Sequence, residues 1–213
     1  MNPEARPTSI TWIGGLAIAP EAVLKLAQRL LPRAFHRVLP PAKWALDDIG
    51  SCDILVGYSF GAHLVWRAYD RFAPKTQLVL LAPFLDLRRE AGSGGKVPLV
   101  VLTRMLRKFR LAPLEVIADF YAKLGLPDPP AALPYALDDL TWGLELMVSG
   151  GFGRPPSPAS CHTVVGDEDP LVDCQTLATC LPKTSIISGS HALEPLARNW
   201  LASTNALAIS RLD

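Results

Sequence analysis

Ser59 stands between two glycines in Gly57-Tyr58-Ser59-Phe60-Gly61, with the apolar run Ile54-Leu55-Val56 before it and a helical pattern from Ala62 after it. A G-x-S-x-G segment in that context puts the serine on a strained strand-to-helix turn, its hydroxyl above a sheet, and only glycine is small enough where strand and helix pass on either side. A serine hydroxyl is a poor nucleophile near neutral pH. It needs an imidazole to take its proton and a carboxylate to hold that imidazole in the right tautomer, in the chain order Ser, acid, His. His191, in Ser188-Gly189-Ser190-His191-Ala192, follows the last predicted strand and is the expected base. His36 precedes the serine, His162 opens a strand at the wrong edge, and a helix carries His63 away from the turn, so packing is its expected role. The acid is expected at Asp169, in Gly166-Asp167-Glu168-Asp169-Pro170, with Asp86 as the rival and Asp167, Glu168 and Asp173 read as loop charges or helix caps. The charge that develops on an attacked carbonyl needs two backbone donors, expected at Phe60 and, in Ile13-Gly14-Gly15-Leu16-Ala17, at Leu16.

These groups must be brought together by elements far apart in the chain. Apolar runs at 9–13, 53–56, 77–81, 162–165 and 184–187 read as strands buried on both faces, with a weaker strand at 36–39 closed by Pro40-Pro41. Helical patterns at 20–31 and 62–72 and from Leu193 alternate with them, which implies a mostly parallel, doubly wound α/β sheet. After Leu87 the alternation breaks into helical patterns over 98–124 and 137–147. Pro127, Pro129, Pro130 and Pro134 separate them, and the segment containing Gly150-Gly151-Phe152-Gly153 and Pro155-Pro156 returns the chain to the sheet. The expected organisation is a core of residues 1–87 and 151–213 with an inserted helical lid at 88–150, one domain overall.

With 213 residues, 49% of them hydrophobic, the chain can bury one sizeable core. A net charge of +1 supplies no global field for nucleic acid or an anionic membrane, so neither is an expected partner. Residues 1–7 lack the pattern of a signal peptide and no apolar run is long enough to span a membrane, which leads to a cytoplasmic expectation. Cys52, Cys161, Cys174 and Cys180 contain no C-x-x-C pair and are read as reduced, with no bridge, no metal and no cofactor.

Taken together, these motifs resemble the α/β-hydrolases and, within them, the pimeloyl-[acyl carrier protein] methyl ester esterases of biotin synthesis. The likeness is carried by Gly14-Gly15-Leu16-Ala17-Ile18-Ala19-Pro20-Glu21, by the elbow, by the turn from Gly166 to Pro170, by His191 and by Trp142-Gly143-Leu144-Glu145-Leu146. Gly14 stands where that family has His and Leu16 where it has Trp; the Asp-Arg that follows the family's lid motif is missing, and the two antiparallel N-terminal edge strands are expected to be absent. The resemblance implies an α/β-hydrolase fold, a serine esterase mechanism and an acyl-chain ester on an acidic carrier protein. The basic run Arg104, Arg107, Lys108 and Arg110 offers such a carrier a surface, or is a solvated helix face. Other small esters, lactones and thioesters, and a non-catalytic binding module, are the alternatives.

Overall fold

A computed structural model describes residues 6–72, 76–150, 161–181 and 183–204. The elements in chain order are β1 (Ser9–Ile13), α1 (Pro20–Leu30), β2 (Phe35–Leu39), β3 (Ile54–Tyr58), α2 (Phe60–Arg67), β4 (Gln77–Leu81), α3 (Leu99–Phe109), α4 (Pro113–Leu124), α5 (Leu137–Ser149), β5 (Cys161–Gly166), α6 (Cys174–Cys180), β6 (Thr184–Ile187) and α7 (Leu193–Thr204). The strands form one sheet in the order β2-β1-β3-β4-β5-β6, and every neighbouring pair is parallel.

The period-two alternation of the strands divides the core into two layers. Ile10, Trp12, Val56, Val79, Leu81 and Val164 face α1 and α7, where Val23, Ala27, Leu196 and Trp200 meet them. Leu55, Leu78, Leu80 and Val165 face the other way, into a larger cluster that continues into α2, α6 and the helices between β4 and β5. The expectation of burial on both faces holds for β3 and β4, whereas β2 and β6, at the sheet margins, are partly exposed. An edge strand has only one neighbour to cover it.

Local chemistry sets the helix limits. Pro20 and Pro113 occupy the first turns of α1 and α4, where their missing N–H costs nothing. The helical pattern at 98–124 is therefore two helices, because Pro113 cannot continue α3 and instead opens α4. α4 ends at Gly125, left-handed with φ 63°, and Leu126 N–H returns to the Tyr121 carbonyl. The pattern read at 62–72 starts earlier, at Phe60, and ends at Arg67, followed by a 3₁₀ turn at Tyr69–Arg71. α6, absent from the sequence reading, is capped by the Asp173 carboxylate, which accepts from Thr176 N–H at 2.7 Å. The return segment with Gly151-Phe152-Gly153 and Pro155-Pro156 lies outside the described residues.

Parallel strands bring all their carboxyl ends to one edge, and the loops after β1, β3, β5 and β6 gather there. The order reverses between β1 and β3. In open α/β sheets that crevice is where ligands bind.

Candidate active site

Three loops from that edge meet at Ser59. Ser59 has φ 54° and ψ −116°, a strained conformation for a residue with a side chain, held by its own N–H on the Leu81 carbonyl at 2.8 Å. The tight turn admits nothing but glycine beside it. A Cβ on Gly57 would lie 2.5 Å from the Ala62 Cα, and one on Gly61 would lie 2.2 Å from the Ile13 carbonyl oxygen. Gly61 N–H donates to the Gly14 carbonyl at 3.1 Å, so the elbow and the loop after β1 are joined backbone to backbone.

The structure brings His191 and Asp169, the expected base and acid, to Ser59. The Ser59 hydroxyl is 2.8 Å from His191 Nε2, and His191 Nδ1 is 2.6 Å from Asp169 Oδ2. His191 and Asp169 are fully buried and Ser59 is 6% exposed. The other Asp169 oxygen accepts the N–H groups of Leu171 and Val172 at 2.8 and 3.2 Å, which fixes the carboxylate. The tautomer follows: with Asp169 accepting from Nδ1–H, Nε2 is left to accept from the serine.

Asp86, the rival acid, does something else. Its carboxylate grips the Arg88 guanidinium through Nε and Nη2, and Arg88 Nη1 donates to the Ser149 carbonyl at 3.1 Å. Asp86 thus anchors the base of the helical segment. His63 lies in the core: Nδ1–H donates to the Phe84 carbonyl at 2.9 Å and the ring stacks on Phe84 with centroids 4.7 Å apart. Burial holds His63 down to about 4, so the ring is neutral. His36 accepts from Trp12 Nε1 and contacts the Leu31 carbonyl, remote from this edge.

Several supporting groups escaped the sequence reading. The buried Tyr58 hydroxyl donates to the His191 carbonyl at 2.8 Å, and Lys96 Nζ donates to the Asp169 carbonyl at 2.8 Å. Gly166 must be glycine, since a Cβ there would lie 2.2 Å from the Gly189 carbonyl oxygen of the His191 loop. The same two loops are stitched by Glu168 N–H on the Gly189 carbonyl and by Gly189 N–H on the Asp167 carboxylate, both at 2.9 Å. The glycine at the end of a strand was the signal available for Gly166; no pattern marked Tyr58 or Lys96.

The two expected donors lie on the elbow and on the loop joined to it. Phe60 is the first residue of α2, so its amide has no intrahelical acceptor. Leu16 lies in the loop tied to Gly61. Beside Ser59 and Phe60 opens a cavity of about 220 Å³, lined also by Phe84, Leu87, Leu102 and Met147, among others, with Arg104, Lys108, Asp119 and Lys123 on its wall. The basic run is not uniformly available: Lys108 pairs with Asp119 at 2.9 Å and Arg110 with Glu145 at 2.7 Å, while Arg104 and Arg107 have no ion pair among the described residues.

No family model and no curated protein sequence matches this chain. Its fold is nevertheless the α/β-hydrolase fold. Solved structures similar to it include an esterase from Exiguobacterium antarcticum (TM-score 0.68, 10% identity, covering 95% of this chain and 92% of that one). A thermophilic esterase from Thermogutta terrifontis aligns with TM-score 0.65 at 11% identity over 96% of this chain and 89% of its own. An N-acyl homoserine lactonase, AidH, aligns with TM-score 0.64 at 16% identity over 95% and 88%. At these identities the likeness is one of fold, and the chemistry must be argued from this chain's own residues.

Proposed function

We propose that this protein is a serine hydrolase of carboxylic esters, working through an acyl-enzyme. The observation that carries the reading is the buried hydrogen-bond relay from Ser59 through His191 to Asp169, ending at an apolar cavity. Ser59 Oγ attacks the ester carbonyl as its proton passes to His191 Nε2, while Asp169 stabilises the imidazolium without taking the proton. The amides of Phe60 and Leu16 receive the oxyanion. Collapse of the tetrahedral intermediate breaks the ester C–O bond, and His191 protonates the departing alcohol. A water molecule, deprotonated by His191, then attacks the acyl-enzyme, releasing the acid and restoring Ser59.

The acyl chain lies along Phe84, Leu87, Leu102 and Met147, so the helices act as a lid that selects it. The sequence resemblance makes the substrate a methyl ester of an acyl chain, such as a pimeloyl ester on an acyl carrier protein in biotin synthesis. Arg104 and Arg107 would then meet the acidic carrier. The intact relay favours catalysis over a binding role.

The test is labelling with a fluorophosphonate followed by a panel of methyl esters of increasing length, free and carrier-bound. Covalent labelling of the wild type and not of Ser59→Ala is expected. An unlabelled wild type sinks the proposal, and equal rates on free and carrier-bound esters remove the carrier from it.

A further inference from the structure

The loop that bears Leu16 is held from above. Gly15 to Ile18 is a tight turn, closed by Ile18 N–H on the Gly15 carbonyl at 3.1 Å, and Ala17 in its third position has φ 61°. That is the type II arrangement, which wants glycine where this chain has alanine, so the turn is under strain. Two tyrosines from the helical segment hold it. The Tyr121 hydroxyl, on α4, donates to the Ala17 carbonyl at 3.0 Å, and the Tyr135 hydroxyl, just before α5, accepts from Ala17 N–H at 2.9 Å. Both polar groups of the strained residue are thereby bound by side chains more than a hundred positions away, Tyr121 by 104 and Tyr135 by 118. α5 also bears directly on the proposed donors: a Cβ on Gly143 would lie 2.7 Å from Leu16 Cδ1 and 2.9 Å from Phe60 Cε1.

We infer that Tyr121 and Tyr135 are positioning residues that clamp Ala17 so that Leu16 N–H is aimed at the developing oxyanion, and that the helical segment completes the oxyanion hole as well as lining the acyl cavity. In a trans peptide N–H and C=O point opposite ways, so the Gly15 carbonyl's bond to Ile18 sets the direction of the Leu16 amide. Whatever relaxes Ala17 opens that turn and turns the donor. Burial pushes the Tyr135 hydroxyl far above its ordinary range, so it stays protonated throughout the working pH range. A donor contributes to rate only if it is in place before the charge appears, so the clamp acts on the chemical step and not on substrate binding.

This inference rests on the serine hydrolase reading, and the test separates the two. Wild type, Tyr121→Phe, Tyr135→Phe and the double variant are assayed on a short p-nitrophenyl ester, with thermal melts run in parallel. Each single change is expected to lower kcat about tenfold and the pair about a hundredfold, short of or level with outright loss of one oxyanion donor, with KM within about twofold. Ala17→Gly, which lets the turn keep its positive φ without the clamp, should restore part of the double variant's kcat. The single variants stand in if the double variant does not fold. An unchanged kcat, a loss confined to KM, or no recovery with Ala17→Gly overturns the clamp while wild-type labelling by a fluorophosphonate leaves the hydrolase reading standing. A wild type that neither labels nor turns over removes both.

Discussion

The two walls of the site are built differently. On the sheet side, Ser59, Asp169 and His191 are held by backbone contacts: amide to carbonyl across loops, carboxylate to amide, and glycines that let chains pass within contact distance. On the helical side, the cavity is shaped by apolar side chains and the loop below it is gripped by two phenol groups. Backbone contacts leave little freedom in residue type. Side-chain packing accepts many solutions, so on the proposed function the first wall carries the nucleophile and the second shapes the cavity and braces the loop after β1.

The largest expected effects fall on the sheet side. Ser59→Ala should abolish ester hydrolysis, by at least about 10⁴-fold in kcat, with an unchanged melting temperature, since a single hydroxyl contributes little to packing. Asp169→Asn should cost about 10⁴-fold through the wrong imidazole tautomer, while Asp86→Asn should leave kcat within a few-fold and lower stability by loosening Arg88. If Asp86→Asn proves the more damaging to kcat, the assignment of the acid is reversed.

A test of the same contrast by stability uses His63. The unfolded chain takes up a proton near pH 6.5 that the fold refuses until about pH 4, so stability is complete above that window and declines as pH falls through it. Denaturant melts at pH 7 and 4.5 should show roughly 2–3 kcal/mol of acid destabilisation that His63→Phe removes. An equal decline in the variant would place the acid sensitivity elsewhere.

On the helical side the changes should be smaller and specific to substrate. Met147→Ala enlarges the cavity and should shift the preferred acyl chain longer, changing relative kcat/KM by about tenfold per added pair of methylenes, read from the ester panel. Smallest of all, Arg107→Ser, off the cavity wall, should lower kcat/KM for a carrier-bound ester a few-fold at low salt and not at high salt, leaving free esters unaffected. Loss on both substrates would assign this side chain to folding instead.

The same division explains what could be read in advance. Gly57, Ser59, Gly61, Asp169 and His191 were legible because strained turns and close backbone approach restrict residue type, and the fold's chain order did the rest. The parallel sheet followed from apolar runs alternating with helical patterns, whereas its strand order, with β1 between β2 and β3, had no signal of its own. The break at Pro113 marked a helix boundary that the continuous apolar pattern concealed. α6 is only seven residues long and has no clear stripe, so its one signal was the Asp173 to Thr176 cap. Tyr121 and Tyr135 had no signal at all: an aromatic residue in a helical pattern reads as core, one next to Pro134 reads as loop, and their hydroxyl partners lie across the molecule.

Arg88 has a further consequence as a polymer constraint. By gripping Asp86 beside it and the Ser149 carbonyl 61 positions on, it draws together the two ends of the helical segment at the sheet edge. Closing a loop costs an entropy that grows only with the logarithm of its length, about 0.6 kcal/mol for each doubling. With its ends latched, the segment between them can lengthen, shorten or repack at little cost to the sheet beneath. Away from Tyr121, Tyr135 and Gly143, the helices are therefore free to change in sequence, with new cavity shapes tried over an unchanged Ser59.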